Sequence, residues 1–164
     1  MATSKTLQDQ NVRSVISVIV INESSVLARV SGLFAGRGYN IESLTVAPIP
    51  NSQTSRITIV TNGNIRTIEQ ITKQLHKLIP VYKVIEHQEM VEKEMVLVKF
   101  PLTENLSDIS ALCTAYNGGI VNVGAQMCIT MITDEPSRVR HFIEATQRFH
   151  PLEIVRGGVV ALEI

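Results

Sequence analysis

The 164-residue chain has room for one medium domain or two small ones. Lys and Arg total 15, Asp and Glu total 15, and the resulting zero formal charge argues against a general binder of nucleic acid or anionic membrane. Hydrophobic residues make up 45% of the chain but aromatics only 4%, with no Trp, so any core is aliphatic.

The first eleven residues, MATSKTLQDQN, are polar, lack the apolar stretch of a secretory signal and read as a flexible tail. Val12 to Ile21, VRSVISVIVI, is β-branched and nearly all apolar, like a central buried strand. A turn, Asn22-Glu23-Ser24-Ser25, follows. Val26, Leu27, Val30, Leu33 and Phe34 then mark one helical face, which Gly36 and Gly38 end. Tyr39 to Ala47 reads as a second strand, stopped by Pro48 and Pro50. Arg56 to Thr61 alternates as a third, with Asn62-Gly63 expected to turn the chain. Ile65, Ile68, Ile71, Leu75, Leu78 and Ile79 give a second amphipathic helix before Pro80, and Val81 to His87 a fourth strand.

The charged stretch Glu86 to Glu94 reads as the link to a second domain, its end running into the next strand. The same order then recurs. Met95 to Phe100 is a strand. Leu106, Ile109, Leu112, Cys113 and Tyr116 share a helical face, closed by Asn117-Gly118-Gly119. Ile120 to Val123 and Gln126 to Thr133 read as a hairpin, and Asp134-Glu135-Pro136 as a helix start. Val139, Phe142, Ile143 and Phe149 supply that helix's buried face. Ile154 to Leu162 is a last strand interrupted by Gly157-Gly158. The fold class is therefore α+β: two tandem ferredoxin-like βαββαβ sandwiches, over residues 12–88 and 93–164. Four-stranded sheets have open edges, so self-association is expected.

Little in the chain has the chemistry of catalysis. His76, His87, His141 and His150 lie at no metal-ligand spacing and read as satisfied or exposed. No G-x-S-x-G surrounds Ser24 or Ser25. GLFAGRG ends a helix, whereas a dinucleotide fingerprint opens one. RITIVT and VISVIVI carry none of the aromatics that an RNA-binding four-stranded sheet needs. Cys113 and Cys128 read as reduced core thiols, and no apolar run approaches the ~18 residues of a membrane span. The turn at residues 22–25 has two readings. First-turn amides lack intrahelical acceptors and can hold a carboxylate, which suits an α-amino acid if a second wall is available. Alternatively, Ser24 or Ser25 caps the helix itself.

NESSVLARVSGLFAGRGYNIESLTVAPIPNSQTSRITIVT, and within it RGYNIESLTVA, closely resembles the first domain of the regulatory (small) subunit family of acetohydroxyacid synthase, also called acetolactate synthase. EQITKQLHKLIPVYKV continues the likeness, and EMVLVKF, YNGGIVNV and EIVRGGVVAL carry it more weakly through the second half. The resemblance implies that the first domain is an ACT domain, that the chain is not catalytic, and that it pairs as a homodimer through its ACT domains. Its implied partner is the catalytic (large) subunit, which holds thiamine diphosphate, Mg and FAD and which it activates; this chain itself is expected to hold no cofactor. Feedback inhibition by valine is implied too, with leucine or isoleucine as alternative effectors, in a bacterial cytoplasm or plastid stroma. The implied effector site is Asn22, Glu23, Ser24, Ser25, Val26 and Leu27 of one copy against Asn40 and Ile41 of the other. The family usually has glycine where this chain has Ser25, so valine binding that is weakened, altered in specificity or lost is expected. A free-standing amino-acid sensor for another protein, or a small enzyme on this scaffold, are the rival readings.

Overall fold

The computed structural model describes residues 11–164; the tail expected over residues 1–11 lies, Asn11 apart, outside them. Among the described residues there are nine strands and four α-helices. The first six elements are β1 (Val12–Ile21), α1 (Val26–Gly36), β2 (Ile41–Pro48), β3 (Thr54–Gly63), α2 (Ile65–His76) and β4 (Val81–Glu86). Then follow β5 (Met90–Pro101), α3 (Leu106–Ala115), β6 (Gly118–Val123), β7 (Met127–Asp134), α4 (Pro136–Thr146), β8 (Glu153–Arg156) and β9 (Val160–Glu163). The chain divides into two compact units. One runs to Val91 and also takes in Ala161–Ile164; the other is Glu92–Val160. Each is a βαββαβ sandwich, the double ferredoxin-like fold expected from the alternating patterns.

In the first unit the sheet order is β2-β3-β1-β4, with every neighbour antiparallel. β1 is central and buried on both faces, which is why nearly all its residues are apolar. Ile16, Val18 and Val20 point at the helices with Ile57 and Ile59 of β3. They meet Val26, Val30 and Phe34 of α1 and Ile68, Ile71 and Leu75 of α2. Each such side chain, fully buried, contributes about 1.5–3 kcal/mol. α1 ends in a Schellman motif: Tyr39 N–H donates to Phe34 O (2.9 Å) and Gly38 N–H to Ala35 O (3.1 Å), with Gly38 at φ +68°. Gly38 therefore makes the stop, and Gly36 is the last helical residue. α2 is capped by Asn64, whose Oδ1 accepts from the Thr67 amide at 2.8 Å.

The second unit has sheet order β6-β7-β5-β8, and β9 pairs with β5 off that path. Its core joins Val96, Val98, Phe100, Cys128 and Ile132 to Ile109 and Cys113 of α3 and Val139 and Phe142 of α4. Asn105 caps α3 through bonds from the Ser107 and Asp108 amides (2.9 and 3.3 Å).

Several boundaries depart from the sequence reading. Asn62 and Gly63 do not turn the chain; they extend β3 because β1 offers them partners, Arg13 and Val12. The charged stretch is not a free linker: β5 begins at Met90, and the inward-pointing Glu94 is clamped by Arg156 (2.6 and 2.9 Å). Gly118 and Gly119 open β6, leaving Asn117 at φ 58° to close α3 alone. Asp134 does not cap α4; its Oδ1 accepts from the adjacent Glu135 amide. The interrupted last strand is two strands, β8 and β9.

Candidate functional site

The turn between β1 and α1 is fixed at both ends. Ile21 N–H donates to Pro80 O and Asn22 N–H to Gln53 O, each at 3.0 Å, so neighbouring loops hold the place where the strand stops. Glu23 N–H turns back to Ile21 O (3.0 Å), and Val26 N–H bonds Glu23 O (3.2 Å). The helical ladder starts with Arg29 N–H to Ser25 O (3.2 Å). Val26 anchors the turn in the core, while Asn22, Glu23, Ser24, Ser25 and Leu27 face outward.

Ser25 sits at φ −86°, ψ −10°, and its hydroxyl makes no capping bond. The self-capped alternative is therefore not what the chain adopts. The amides of Leu27 and Ala28 find no acceptor among the described residues and lie at the positive end of the α1 dipole. Nor does this position require glycine for its backbone, since the torsion is ordinary helical. What the turn offers is two convergent donors for a carboxylate, with the Asn22 amide and the Leu27 side chain beside them.

Asn40 and Ile41 stand elsewhere. The Thr61 hydroxyl donates to Asn40 O at 2.6 Å, and Ile41 is paired with Thr61. Asn40 is exposed and Ile41 half-buried against the core. Ile21, by contrast, is paired with Thr54. Seven residues along β3 separate the two places, roughly 23 Å at strand rise. One chain does not bring them together.

The remaining polar clusters have structural chemistry. Asp134 accepts from Lys93 Nζ (3.3 Å), Arg138 Nε (2.5 Å), Asn117 Nδ2 (3.2 Å) and the Glu135 amide (2.9 Å). Burial alone would raise its carboxyl, but the Arg138, Glu135 and Lys93 bonds outweigh that and hold it at about 2. With both oxygens saturated it has no site left for a substrate. Arg138 also donates to Ala115 O (2.9 Å) and lies over the Tyr116 ring, tying the end of α3 to α4. Burial pushes the Cys113 and Cys128 thiols up, which suits inert core cysteines. His150 pairs with Glu104 (3.0 Å), and His87 is buried against Ser17 (2.7 Å). Among the described residues no three His, Cys, Asp or Glu side chains gather to hold a metal ion, and no helix is long and apolar enough to cross a membrane. A shallow groove between α3 and β6, lined by Leu106, Ser107, Ser110, Ala111, Thr114 and Ile120, contains no titratable group.

Sequence reasoning missed the Asp134 junction and the Ser17–His87 contact. The signals were an Asp in register with the inward Cys128, Thr130 and Ile132, and a Ser inside a β-branched run.

Comparison with known proteins covers both units. Residues 16–83 match the family described as AHAS small subunit-like ACT domain, and residues 93–164 the family described as small subunit of acetolactate synthase. The acetolactate synthase small subunit of Haemophilus influenzae is 41% identical over 154 residues, 92% of this chain and 94% of that protein. The acetolactate synthase isozyme 3 small subunit of Escherichia coli is 38% identical over the same shares of each chain. Among solved structures, the acetolactate synthase small subunit of Thermotoga maritima is 36% identical, with TM-score 0.85 over 93% of this chain and 98% of its own.

Proposed function

The chain belongs to the acetolactate synthase small-subunit family, and on that premise we propose that it is the non-catalytic regulatory subunit of a thiamine-diphosphate-dependent acetolactate synthase. It activates the catalytic subunit and makes it responsive to valine, in the cytoplasm or a plastid stroma. Thiamine diphosphate, Mg and FAD belong to that partner, which carries out the condensation; this chain's contribution is binding and coupling.

The observation that supports this reading best is the pair of open amides at Leu27 and Ala28, left uncapped by Ser25 beside an exposed Asn22. The amides and the helix dipole bind the effector's carboxylate. The Asn22 side-chain carbonyl accepts from its ammonium group. A valine side chain needs an apolar wall as well, and Leu27 supplies only part of one. Asn40 and Ile41 of a second copy complete the pocket, because the same residues of one chain lie roughly 23 Å too far along the sheet. Two identical half-sites related by a two-fold axis give two equal pockets per dimer. Discrimination among valine, leucine and isoleucine is modest, since one methylene in an apolar pocket is worth about 1–3 kcal/mol.

Effector binding then biases the assembled enzyme toward a less active state through about 1–3 kcal/mol of coupling. The test is acetolactate formation by the cognate catalytic subunit, alone, with this chain, and with this chain plus valine. A several-fold rise in rate on adding the chain, reversed by valine, is expected. An unchanged rate with both proteins folded and this chain in excess would refute the activator role and favour a free-standing sensor.

A further inference from the structure

β9 is chain-adjacent to the second unit through Gly157, Gly158 and Val159, yet Ala161–Ile164 belong to the first. Backbone contacts hold it: β9 pairs with β5, and Ile164 N–H donates to Glu89 O at 3.3 Å. Val159 and Ala161 are buried.

Side chains add a second anchor. Glu163 Oε2 lies 3.7 Å from Nδ1 of His87, within ion-pair reach but beyond hydrogen-bond length, and that imidazole is fully buried. Nε2 of the same ring is 2.7 Å from Ser17 Oγ, and Ser17 Oγ is 3.4 Å from Thr58 Oγ1. The His87 backbone N–H donates to Val15 O at 3.1 Å. A polar line thus runs from Glu163 through His87 to β1 and on to β3. On that face of the first sheet, away from the helices, Val15 and Val60 are buried and apolar. Ser17 and Thr58 in such a place cost stability unless they are hydrogen-bonded, and valine would fill the positions without that requirement.

The order acid, histidine, serine has the look of a nucleophilic relay, but Ser17 lies mid-strand and is fully buried, so no substrate reaches its hydroxyl. Its site is one of attachment. β1 also ends at the Asn22 turn, five residues after Ser17, so the strand that carries the effector turn is the one that His87 grips.

We propose that Ala161–Ile164 form a strap, fastened to β1 through the Ser17–His87–Glu163 contact, by which the effector response of the first unit is passed to the chain of the second. The fastening stands on the geometry alone, whereas the transmission rests on the regulatory reading above. The full-length chain is compared with His87→Ala, with His87→Gln, and with a chain truncated after Val160. Hydrogen exchange over residues 159–164 is measured in the first three, and the valine concentration for half-inhibition is measured for all four with the catalytic subunit. His87→Ala is expected to speed exchange in β9 by about tenfold or more and to raise the half-inhibitory valine concentration by a similar factor, with activation retained. His87→Gln, whose amide reaches toward Ser17, falls between it and the parent. Truncation reproduces the loss of inhibition, and it carries the test if His87→Ala does not fold. Unchanged exchange in His87→Ala overturns the fastening. A released or absent β9 with parental valine inhibition overturns the transmission. If the parent chain itself neither activates nor answers valine, the regulatory reading and the transmission that rests on it both fall, and the exchange comparison still decides the fastening.

Discussion

Gly118 and Gly119 are neighbours at the start of β6 and should respond oppositely to the same substitution. A methyl on Gly118 would lie 2.1 Å from Met131 O, 2.5 Å from Ile132 Cγ2 and 2.8 Å from Ile132 Cα. Two of those atoms are backbone of β7, which is itself held in register by β5 from Glu94 to Pro101. The relief must therefore come from β6 retreating by more than about 1 Å, which breaks its pairing at Ile132 and Met131. Overpacking of this kind costs about 1–3 kcal/mol, and a lost ladder bond about 1 kcal/mol more, so Gly118→Ala should destabilise the second unit by about 3 kcal/mol. For a unit of this size that is a fall of about 12–24 °C in Tm. At Gly119 nothing lies within 4 Å of the added carbon. Gly119→Ala should be neutral or stabilising by up to about 1 kcal/mol, because it narrows the unfolded ensemble. Urea unfolding followed by far-UV circular dichroism, together with calorimetry, resolves both, and suits a chain without Trp. Equal midpoints for the two variants would refute the reasoning, since only the close approach of β7 separates them.

Asp134 titrates at about 2 in the folded chain against its ordinary 3.8, so its contribution is complete above that ordinary value and is lost as pH falls through the folded one. It amounts to about 1–2 kcal/mol after allowance for the half-exposed Arg138 and Lys93, and Asp134→Asn should flatten the acid limb of a stability–pH curve by that amount. Ser25→Gly should shift valine affinity by less than about fivefold in calorimetry, because Ser25 neither strains the backbone nor occupies the amides; a tightening of more than about tenfold would show that its hydroxyl obstructs the carboxylate. If each pocket joins the turn of one copy to the strand of another, Asn22→Ala and Asn40→Ala chains should each bind valine poorly alone, while a randomised mixture regains about one pocket in four. No recovery on mixing would refute the shared pocket.

The parts of this fold legible in sequence are those dictated by local periodicity. VRSVISVIVI could be placed as a central strand because both of its faces are buried, and the helices declared themselves through Val26, Val30, Phe34 and Ile68, Ile71, Leu75. What escaped was set by partners distant in sequence. Glu94 looks like linker charge until Arg156, 62 residues on, closes over it. Asn62-Gly63 has turn chemistry, but the strand opposite continues to Val12 and draws it into the ladder. The Asn22 turn could be located but not resolved, since an open amide pair and a serine cap have the same sequence and differ only by a hydroxyl's direction. Asn40 and Ile41 entered through family resemblance alone. Nothing local links them to the turn, and the register of β3 sets the two at opposite ends of the sheet.

The placement of β9 also has a consequence in time. Synthesis begins at the N-terminus, so every other part of the first unit leaves the ribosome before Glu92, while Ala161–Ile164 follow the whole of the second. At about 5–20 residues per second, the roughly 70 residues between occupy about 3–14 s. Throughout that interval β1, β3 and β4 can assemble with α1 and α2, but His87 faces a place that Glu163 has not yet reached. The first unit is thus finished only after the second has been made.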